Sequence, residues 1–287
     1  MIFKQLSDAY RKIRNTVRIL IADLNDFDPN KDALAFDELY EIDRWIISAM
    51  NDLTRTIRGA YDTYEFHVAY HAVNNFCTTE LSKLYIDITK DRVYTERADS
   101  KARRSAQTAM YFVLSGLVRL LAPMISFTAE EMWQAIPHKA SDVRESVFLN
   151  DMPAFEESLT YPVLTEKWNR LFTMRDDVMK ALELARAEKL VGKSLEAKIT
   201  LYTKDAEMLA LLRGFGAELN TVFIVSGVKL EECDAPAGAH TEGESGVSVL
   251  VEPADGCKCD RCWSYSIDGE SDGEGGFICA RCRDILK

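Results

Sequence analysis

Apolar side chains recur every three or four residues through most of the first 190 positions, which is the spacing of amphipathic helices. Five helices are predicted, over about 1–22, 37–64, 65–89 and 100–121, and from Thr128 onward. The last opens with T-A-E-E, which has the form of a capping box. A sixth, longer helix is predicted over 163–190. Mostly short connections between the first five helices indicate a bundle.

The pattern changes after residue 193. Alternating apolar positions predict strands over 197–202, 221–230 and 247–252, with a helix at about 204–213. The predicted fold class is therefore mainly α. Four domains are expected: a helical bundle (1–155), a long connecting helix (156–193), a small α/β unit (194–254) and a terminal cysteine-rich module (255–287).

Composition adds limits to this outline. The chain has 287 residues, of which 47% are apolar and 28% charged, as in globular proteins. No apolar run approaches the roughly 20 residues of a membrane span, and no signal peptide is expected. Seven cysteines, an odd number clustered at one end, argue against a disulfide framework and favour the reducing cytoplasm.

Net charge is uneven along the chain. The total of −11 disfavours a nucleic-acid binder, but residues 231–287 alone hold 13 acidic and five basic residues. The first 230 residues therefore carry a net charge of only −3, and local basic surfaces are compatible with the sequence.

Two C-x-x-C pairs near the end carry the clearest chemical signal: Cys259 with Cys262, and Cys279 with Cys282. The 16 residues between the pairs match a four-cysteine structural zinc site, with 263–267 and 277–278 expected to form a hairpin. A redox dithiol is disfavoured because no thioredoxin-like pattern surrounds the pairs, and catalytic zinc because four thiolates leave no open position.

The remaining candidates for chemistry are weak. Cys77 falls on an apolar helix face, Cys233 lies in a loop, and Cys257 is interpreted as a spare thiol. His67 and His71 could grip a metal at i, i+4, but Val68 stands where a zinc protease has Glu. No nucleotide-binding glycine motif and no catalytic triad is recognisable, so an independent enzyme is not expected.

The order of these features resembles the C-terminal third of bacterial-type isoleucyl-tRNA synthetase over nearly the whole chain. The segments that carry the resemblance are YRKIRNTVRIL (10–20), LSKLYIDITKDRVYT (81–95), LAPMISFTAEEMW (121–133), SVFLNDMP (146–153), VGKSLEAKI (191–199) and the closing CDRCW…CARC. The leucyl and valyl relatives share the bundle, whereas a terminal zinc knot with Trp263 after Cys262 is similar to the isoleucyl enzyme.

The resemblance implies recognition of the anticodon stem-loop of isoleucine tRNA. The nucleotide-binding fold with its HIGH and KMSKS signatures, and the editing domain, lie upstream in that family; neither signature occurs here. The chain is accordingly expected to bind tRNA and one structural Zn²⁺ in the cytoplasm, beside upstream domains of the same polypeptide. It is not expected to bind ATP or to aminoacylate alone.

Splayed anticodon bases stack on aromatic or guanidinium planes, and phosphates attract Lys and Arg. The candidate RNA-binding residues are Arg11, Arg14, Arg18, Lys90, Arg92, Arg261, Trp263 and Arg281. Alternatives stay open: the arginines of the first helix can be a solvated face, Trp263 can pack over the sulfurs, and Arg92 can form an intramolecular ion pair with Asp91 or a helix end. A zinc-stabilised protein-interaction module is the competing function.

Overall fold

A computed structural model describes residues 2–271 and 275–287 and divides the chain into two compact units, 1–165 and 166–287. Most described residues are helical, which confirms the mainly α fold. Within the described residues, none of the helices combines the length and the apolar run that a membrane crossing requires.

The first unit is a helical bundle. Its helices are α1 (Ile2–Asp23), α2 (Glu41–Asp62), α3 (Phe66–Phe76), a π-helical segment (Cys77–Ile86), α4 (Asp87–Thr95), α5 (Lys101–Leu121) and α6 (Ser126–Ala135). Ser100 caps α5 by accepting a hydrogen bond from the Arg103 amide at 3.2 Å. Fifteen of the 21 residues of α5 are buried, so this helix forms the centre of the core.

The third predicted helix is longer than the apolar pattern indicated, because α3, the π-helical segment and α4 are continuous. In the π-helical segment the Ser82 hydroxyl donates to the carbonyl of Cys77 at 2.8 Å and contacts the Thr16 hydroxyl at 2.9 Å. Polar contacts to α1 thus accompany the wider turn, which hydrophobic spacing does not reveal.

The predicted capping box at Thr128 is wrong. Helix α6 begins two residues earlier, at Ser126, and Ile125 at its N-cap makes no side-chain capping bond. The Thr128 hydroxyl instead lies 3.0 Å from the hydroxyl of Tyr10 on α1. A tertiary contact therefore takes the group that the local motif would have used.

The second unit contains most of helix α7 (Pro162–Ala187) and a three-stranded sheet. Its elements are β1 (Ala197–Tyr202), α8 (Ala206–Phe215), α9 (Glu218–Phe223), β2 (Gly227–Glu231) and β3 (Ser248–Pro253). The sheet order is β2-β1-β3, with β1 parallel to β2 and antiparallel to β3. Ile199 of β1 stands between Val228 and Val251.

The strand predicted over 221–230 is wrong in its first half. Residues 218–223 form α9, which ends at Ile224 in the left-handed region with φ of +55°. Val222 and Phe223 are buried, and Arg175 of α7 donates to the carbonyl of Val222 at 2.8 Å. Apolar β-branched runs of this length do not separate a buried helical turn from a strand.

Helix α7 packs on the sheet unit rather than standing free as a connector. The rings of Trp168 and Phe215 lie 5.0 Å apart, and the carboxylate of Asp177 accepts the Ser245 amide at 2.8 Å. The division of the chain at 155, 193 and 254 stays a prediction.

Candidate metal centre and nucleic-acid interface

Two short ribbons bring the C-x-x-C pairs together. One pairs β4 (Cys257–Lys258) with β5 (Tyr265–Ser266), and the other pairs β6 (Gly269–Ser271) with β7 (Phe277–Cys279), before α10 (Ala280–Leu286). The hairpin predicted between 263–267 and 277–278 is therefore wrong. The ribbons are joined by hydrogen bonds between Asp260 and Phe277, whose backbone groups meet at 2.9 Å.

The four sulfur atoms of Cys259, Cys262, Cys279 and Cys282 lie within 4.8 Å of one another. The Sγ atoms of Cys262 and Cys279 are 3.8 Å apart. A tetrahedron with zinc–sulfur bonds of about 2.3 Å has edges of roughly 3.8 Å. All four side chains are buried, so the donor set and its enclosure fit a closed structural zinc site.

The electrostatics of the cluster also favour a cation. Burial acts to raise the pKa of Cys259, but the amides of Cys262, Cys279 and Arg261 lower it to about 6. Burial raises the pKa of Cys282 to about 12, against the opposing effect of Arg261, whose Nη1 lies 3.7 Å from this sulfur. Four adjacent thiolates repel one another, and a divalent ion removes that repulsion.

The remaining cysteines and histidines take no part in this centre. Cys77 is buried in the bundle, which confirms its assignment to the core, whereas Cys233 and Cys257 are exposed. His67 and His71 are exposed, and the four-cysteine cluster is the one potential metal-binding group among residues 2–271 and 275–287.

Trp263 presents an aromatic surface beside the metal centre. Its side chain is 59% exposed, and its backbone has a φ of +67°. Phe277 and Ile278 pack against the sulfur cluster. The alternative that Trp263 packs over the sulfurs stays a prediction. The Lys258 ammonium lies 5.6 Å from the ring centroid, within the range of a cation–π contact.

Lys258 was missed by the sequence interpretation. It follows Cys257 in the sequence and pairs with Tyr265 across the β4–β5 ribbon. This pairing places the Lys258 side chain beside the turn that contains Trp263. A lysine just before a C-x-x-C-W segment was the available signal. The guanidinium of Arg261 approaches Cys282, and Arg281 is exposed on the second knuckle.

The three candidate arginines of α1 differ in the contacts that their side chains make. Arg14 forms two hydrogen bonds of 2.7 Å to Glu131 of α6. Arg11 is exposed and lies 3.8 Å from Asp8. Arg18 is exposed and belongs to none of the ion pairs in the described part of the chain. Of the three, Arg18 is the most available for a phosphate.

Arg92 forms an internal ion pair, although with Asp43 rather than Asp91. Its two terminal nitrogens donate to the Asp43 carboxylate at 2.7 and 3.0 Å, and the Asp43 side chain is fully buried. Tyr85 donates to the same carboxylate at 2.7 Å, and Ser105 is a third donor. Burial and the Asp43 charge raise the pKa of Tyr85 well above its ordinary value. The guanidinium therefore belongs to the core of the bundle.

Most of the other cations near Arg92 are also paired. Lys90 contacts Asp87 at 2.7 Å, Arg103 contacts Asp26 at 2.9 Å, and Arg104 lies 3.4 Å from Asp32. The basic excess of residues 90–104 is thus largely neutralised by carboxylates, and those that bind Arg92, Arg103 and Arg104 are distant in sequence. A count of charges within that window could not reveal this.

Comparison with known protein families gives a match for most of the bundle and for helix α7. Residues 43–201, more than half of the chain, match the family described as the anticodon-binding domain of tRNA ligase. The chain belongs to this anticodon-binding family. Residues 256–285 match a second family, described as a zinc finger found in FPG and IleRS.

Curated relatives of this anticodon-binding chain are isoleucine–tRNA ligases. The chain is 44% identical over 288 residues to that of Caldanaerobacter subterraneus, which covers 100% of this chain and 31% of the relative. It is 45% identical over 285 residues to that of Syntrophotalea carbinolica, covering 99% and 30%. The chain thus spans less than a third of these relatives, and the match lies in their C-terminal part.

The zinc-finger match and the geometry of the four sulfurs agree. The zinc-finger family and the sulfur geometry support one structural zinc ion in the anticodon-binding chain, and Cys259, Cys262, Cys279 and Cys282 are the residues that would hold it. With four protein thiolates the ion has no free coordination position, so its role is to join the two ribbons.

Proposed function

We propose that this chain recognises the anticodon stem-loop of isoleucine tRNA, as the C-terminal part of a cytoplasmic isoleucine–tRNA ligase. The observation that carries the proposal is the match of residues 43–201 to the anticodon-binding family, in a chain 44–45% identical along its length to isoleucine–tRNA ligases. ATP-dependent aminoacylation belongs to the upstream catalytic domain of such a ligase, so the chain alone does not aminoacylate.

Trp263 is the proposed stacking surface for an unpaired base. Aromatic rings bind bases through their faces, and this indole is more than half exposed. Lys258 and Arg281 add positive charge on the same module, and Arg261 holds the second knuckle through Cys282. This local charge supports RNA binding in a region that is acidic overall.

Arg18 and Arg11 are the proposed phosphate contacts of the bundle. Lys90, Arg14 and Arg92 are less suited to this role because each contacts a carboxylate at about 2.7–3.0 Å. An exposed, weakly engaged arginine can bind a phosphate without first losing an internal partner.

The test is a fluorescence titration of the chain with isoleucine tRNA and with other tRNAs at low salt. Trp45, Trp133 and Trp168 are buried, so quenching by bound RNA should report on Trp263. Trp263→Ala lacks this reporter, so its affinity is compared with that of the unmodified chain by gel shift; it should weaken binding by about 5- to 150-fold, the equivalent of 1–3 kcal/mol for one stacked base. Ile267→Ala is the matched control, since Ile267 is 77% exposed on the same module.

Equal affinity for all tRNAs would contradict recognition of isoleucine tRNA. Unchanged affinity in Trp263→Ala would contradict the stacking role but leave the family assignment intact. Binding of a protein partner, with an affinity that changes neither on addition of RNA nor with salt concentration, would favour the alternative of a protein-interaction module.

A further inference from the structure

A cavity of about 350 Å³ lies between the end of α7 and the loop that joins β2 to β3. All of its lining residues belong to the second unit, and none is a zinc ligand or a proposed RNA contact. Pockets that bind small molecules begin at about 300 Å³, so this cavity has the size for a small ligand. It is called here the α7–β3 cavity.

One wall of the cavity is a face of α7. Ala181, Leu184, Ala185 and Glu188 line it at intervals of three and four residues, as one side of a helix does. The amide of Glu188 still donates to the carbonyl of Leu184 at 3.0 Å, so helical geometry continues to that residue. Ala181 and Ala185 are buried, and their short side chains leave the space that longer ones would fill.

The loop between β2 and β3 forms a second wall and is held at two places. His240 exchanges two backbone hydrogen bonds with Val249 of β3, at 2.8 and 2.9 Å. The Asp177 carboxylate of α7 accepts the amides of Glu244 and Ser245 at 3.2 and 2.8 Å. A loop held in this way does not have to be ordered by the ligand, which lowers the entropic cost of binding.

His240 gives the cavity an unused hydrogen-bonding atom. Its side chain lines the cavity, and its Nε2 atom is buried without a hydrogen-bond partner in the part of the chain that the structure describes. A buried polar atom without a partner is destabilising, and a ligand that bonds to it removes that cost. A neutral imidazole can accept a hydrogen bond at this nitrogen.

The charges around the cavity favour a cation. Glu188 and Glu242 line it, both are exposed, and neither belongs to an ion pair within the described residues. Of the described residues, no lysine or arginine contributes to the lining. Among residues 2–271 and 275–287, the four-cysteine cluster is the one group whose ligand atoms converge as a metal ion requires. The arrangement around His240 therefore suits an organic cation better than a metal ion.

We propose that the α7–β3 cavity binds a small primary amine with an apolar body. The ammonium group donates to Nε2 of His240 and is attracted by Glu188 and Glu242. The apolar body lies against Ala185 of α7 and Val249 of β3, which are both buried. This binding goes beyond tRNA recognition and uses none of the proposed RNA contacts.

The test is a titration of the 287-residue chain with benzylamine, followed by amide NMR. Chemical shifts should change at His240 and Val249, with a dissociation constant of about 1 mM for a ligand of this size. Benzyl alcohol has the apolar body without the charge, and methylamine has the charge without the body. Each should bind at least about tenfold more weakly than benzylamine.

Variants separate the contributions of charge and hydrogen bonding. Glu188→Gln combined with Glu242→Gln keeps the shape of the side chains and should weaken benzylamine about tenfold, with benzyl alcohol unchanged. His240→Phe keeps a ring but removes Nε2, and should have the same effect. Glu183→Gln is the matched control, because Glu183 is exposed on α7, outside the cavity, and lies 3.6 Å from Lys180. It should bind benzylamine as the unmodified chain does.

Equal affinity for benzylamine and benzyl alcohol would overturn the proposal, as would shift changes confined to residues outside the cavity. Ala185→Leu fills the cavity and should abolish benzylamine binding; retained binding would place the amine elsewhere and reject the assignment. Trp263→Ala should bind benzylamine normally. Loss of tRNA binding with amine binding retained would therefore reject the proposed function and leave the cavity assignment standing.

Discussion

The bundle and the zinc module are held together in different ways. In α5 of the bundle, 15 of 21 residues are buried, most of them apolar. In the described residues of 255–287, the buried side chains are the four cysteines and no others. The first region is stabilised by removing apolar surface from water, and the second by bonds to one ion.

The two regions also differ in the placement of their cations. Arg92 and Arg103 of the bundle are bound to Asp43 and Asp26, which come from other parts of the chain. Lys258 of the zinc module lies over the exposed ring of Trp263. Much of the charge in the bundle therefore serves folding, whereas Lys258 of the zinc module lies at an exposed aromatic surface.

Removal of a zinc ligand should have the largest effect, and that effect should be confined to the zinc module. Cys259→Ser should abolish stoichiometric zinc and unfold residues beyond about 255, since structural zinc contributes roughly 10–16 kcal/mol in small peptides. Metal analysis and amide NMR measure the two effects. The bundle should keep its helical signal.

Cys257→Ser is the matched control, because Cys257 is exposed two residues from Cys259 and outside the cluster. It should keep one zinc per chain. Cooperative melting of the whole chain in Cys259→Ser would show that the two regions do not have separate cores.

The converse experiment destabilises the bundle and leaves the zinc site intact. Asp43→Ala leaves the Arg92 guanidinium buried without its partner, and breaking a buried pair in this way costs about 3–5 kcal/mol. Urea unfolding followed by circular dichroism should report this loss, with zinc content unchanged. Asp52→Ala removes an exposed pair with Arg55 and should cost no more than about 1 kcal/mol.

The same contrast explains what the sequence could predict. The helices and the zinc ligands follow from local spacing, as in the repeat of α1 and the two C-x-x-C pairs. The partner of Arg92 lies 49 residues away on α2, and no local pattern points to it. The hairpin pairing in the zinc module failed for a related reason: hydrogen bonds between Asp260 and Phe277, made across the two knuckles, help decide which strands meet.

Local ambiguity accounts for the other errors. The run TVFIV is apolar and β-branched, yet burial against α7 and a left-handed Ile224 make its first part a helix. The T-A-E-E segment that starts at Thr128 has the residues of a capping box, but the Tyr10 hydroxyl contacts the Thr128 hydroxyl oxygen that the cap would have used. In both cases a tertiary contact decides between local alternatives of similar free energy.

A pH effect of intermediate size is expected in the bundle. Burial raises the pKa of Asp23 from 3.8 to about 6, against the opposing effects of Tyr94 and Arg103. The folded state therefore binds this proton more tightly than the unfolded state does. The resulting stabilisation is complete below about pH 3.8 and is lost as the pH rises through about 6.

Asp23→Asn should remove this component of the pH dependence. The free energy of unfolding of the unmodified chain should fall relative to the variant between pH 4 and 6, by up to roughly 3 kcal/mol. Paired urea titrations across that range measure the difference between the two curves. Parallel curves would mean that Asp23 titrates normally, and zinc-module residues should not contribute to the difference.

The smallest predicted effect separates free from engaged arginines. Arg18→Gln should leave the stability of the bundle within about 0.5 kcal/mol, because Arg18 is exposed and unpaired in the described part of the chain. If Arg18 contacts a phosphate, the slope of log affinity for isoleucine tRNA against log salt should fall by about 0.7–0.9. Arg55→Gln is the matched control: Arg55 is 61% exposed but pairs with Asp52, and its slope should not change. An unchanged slope in Arg18→Gln would remove Arg18 from the RNA interface and leave Arg11 and the zinc module as the proposed sites of contact.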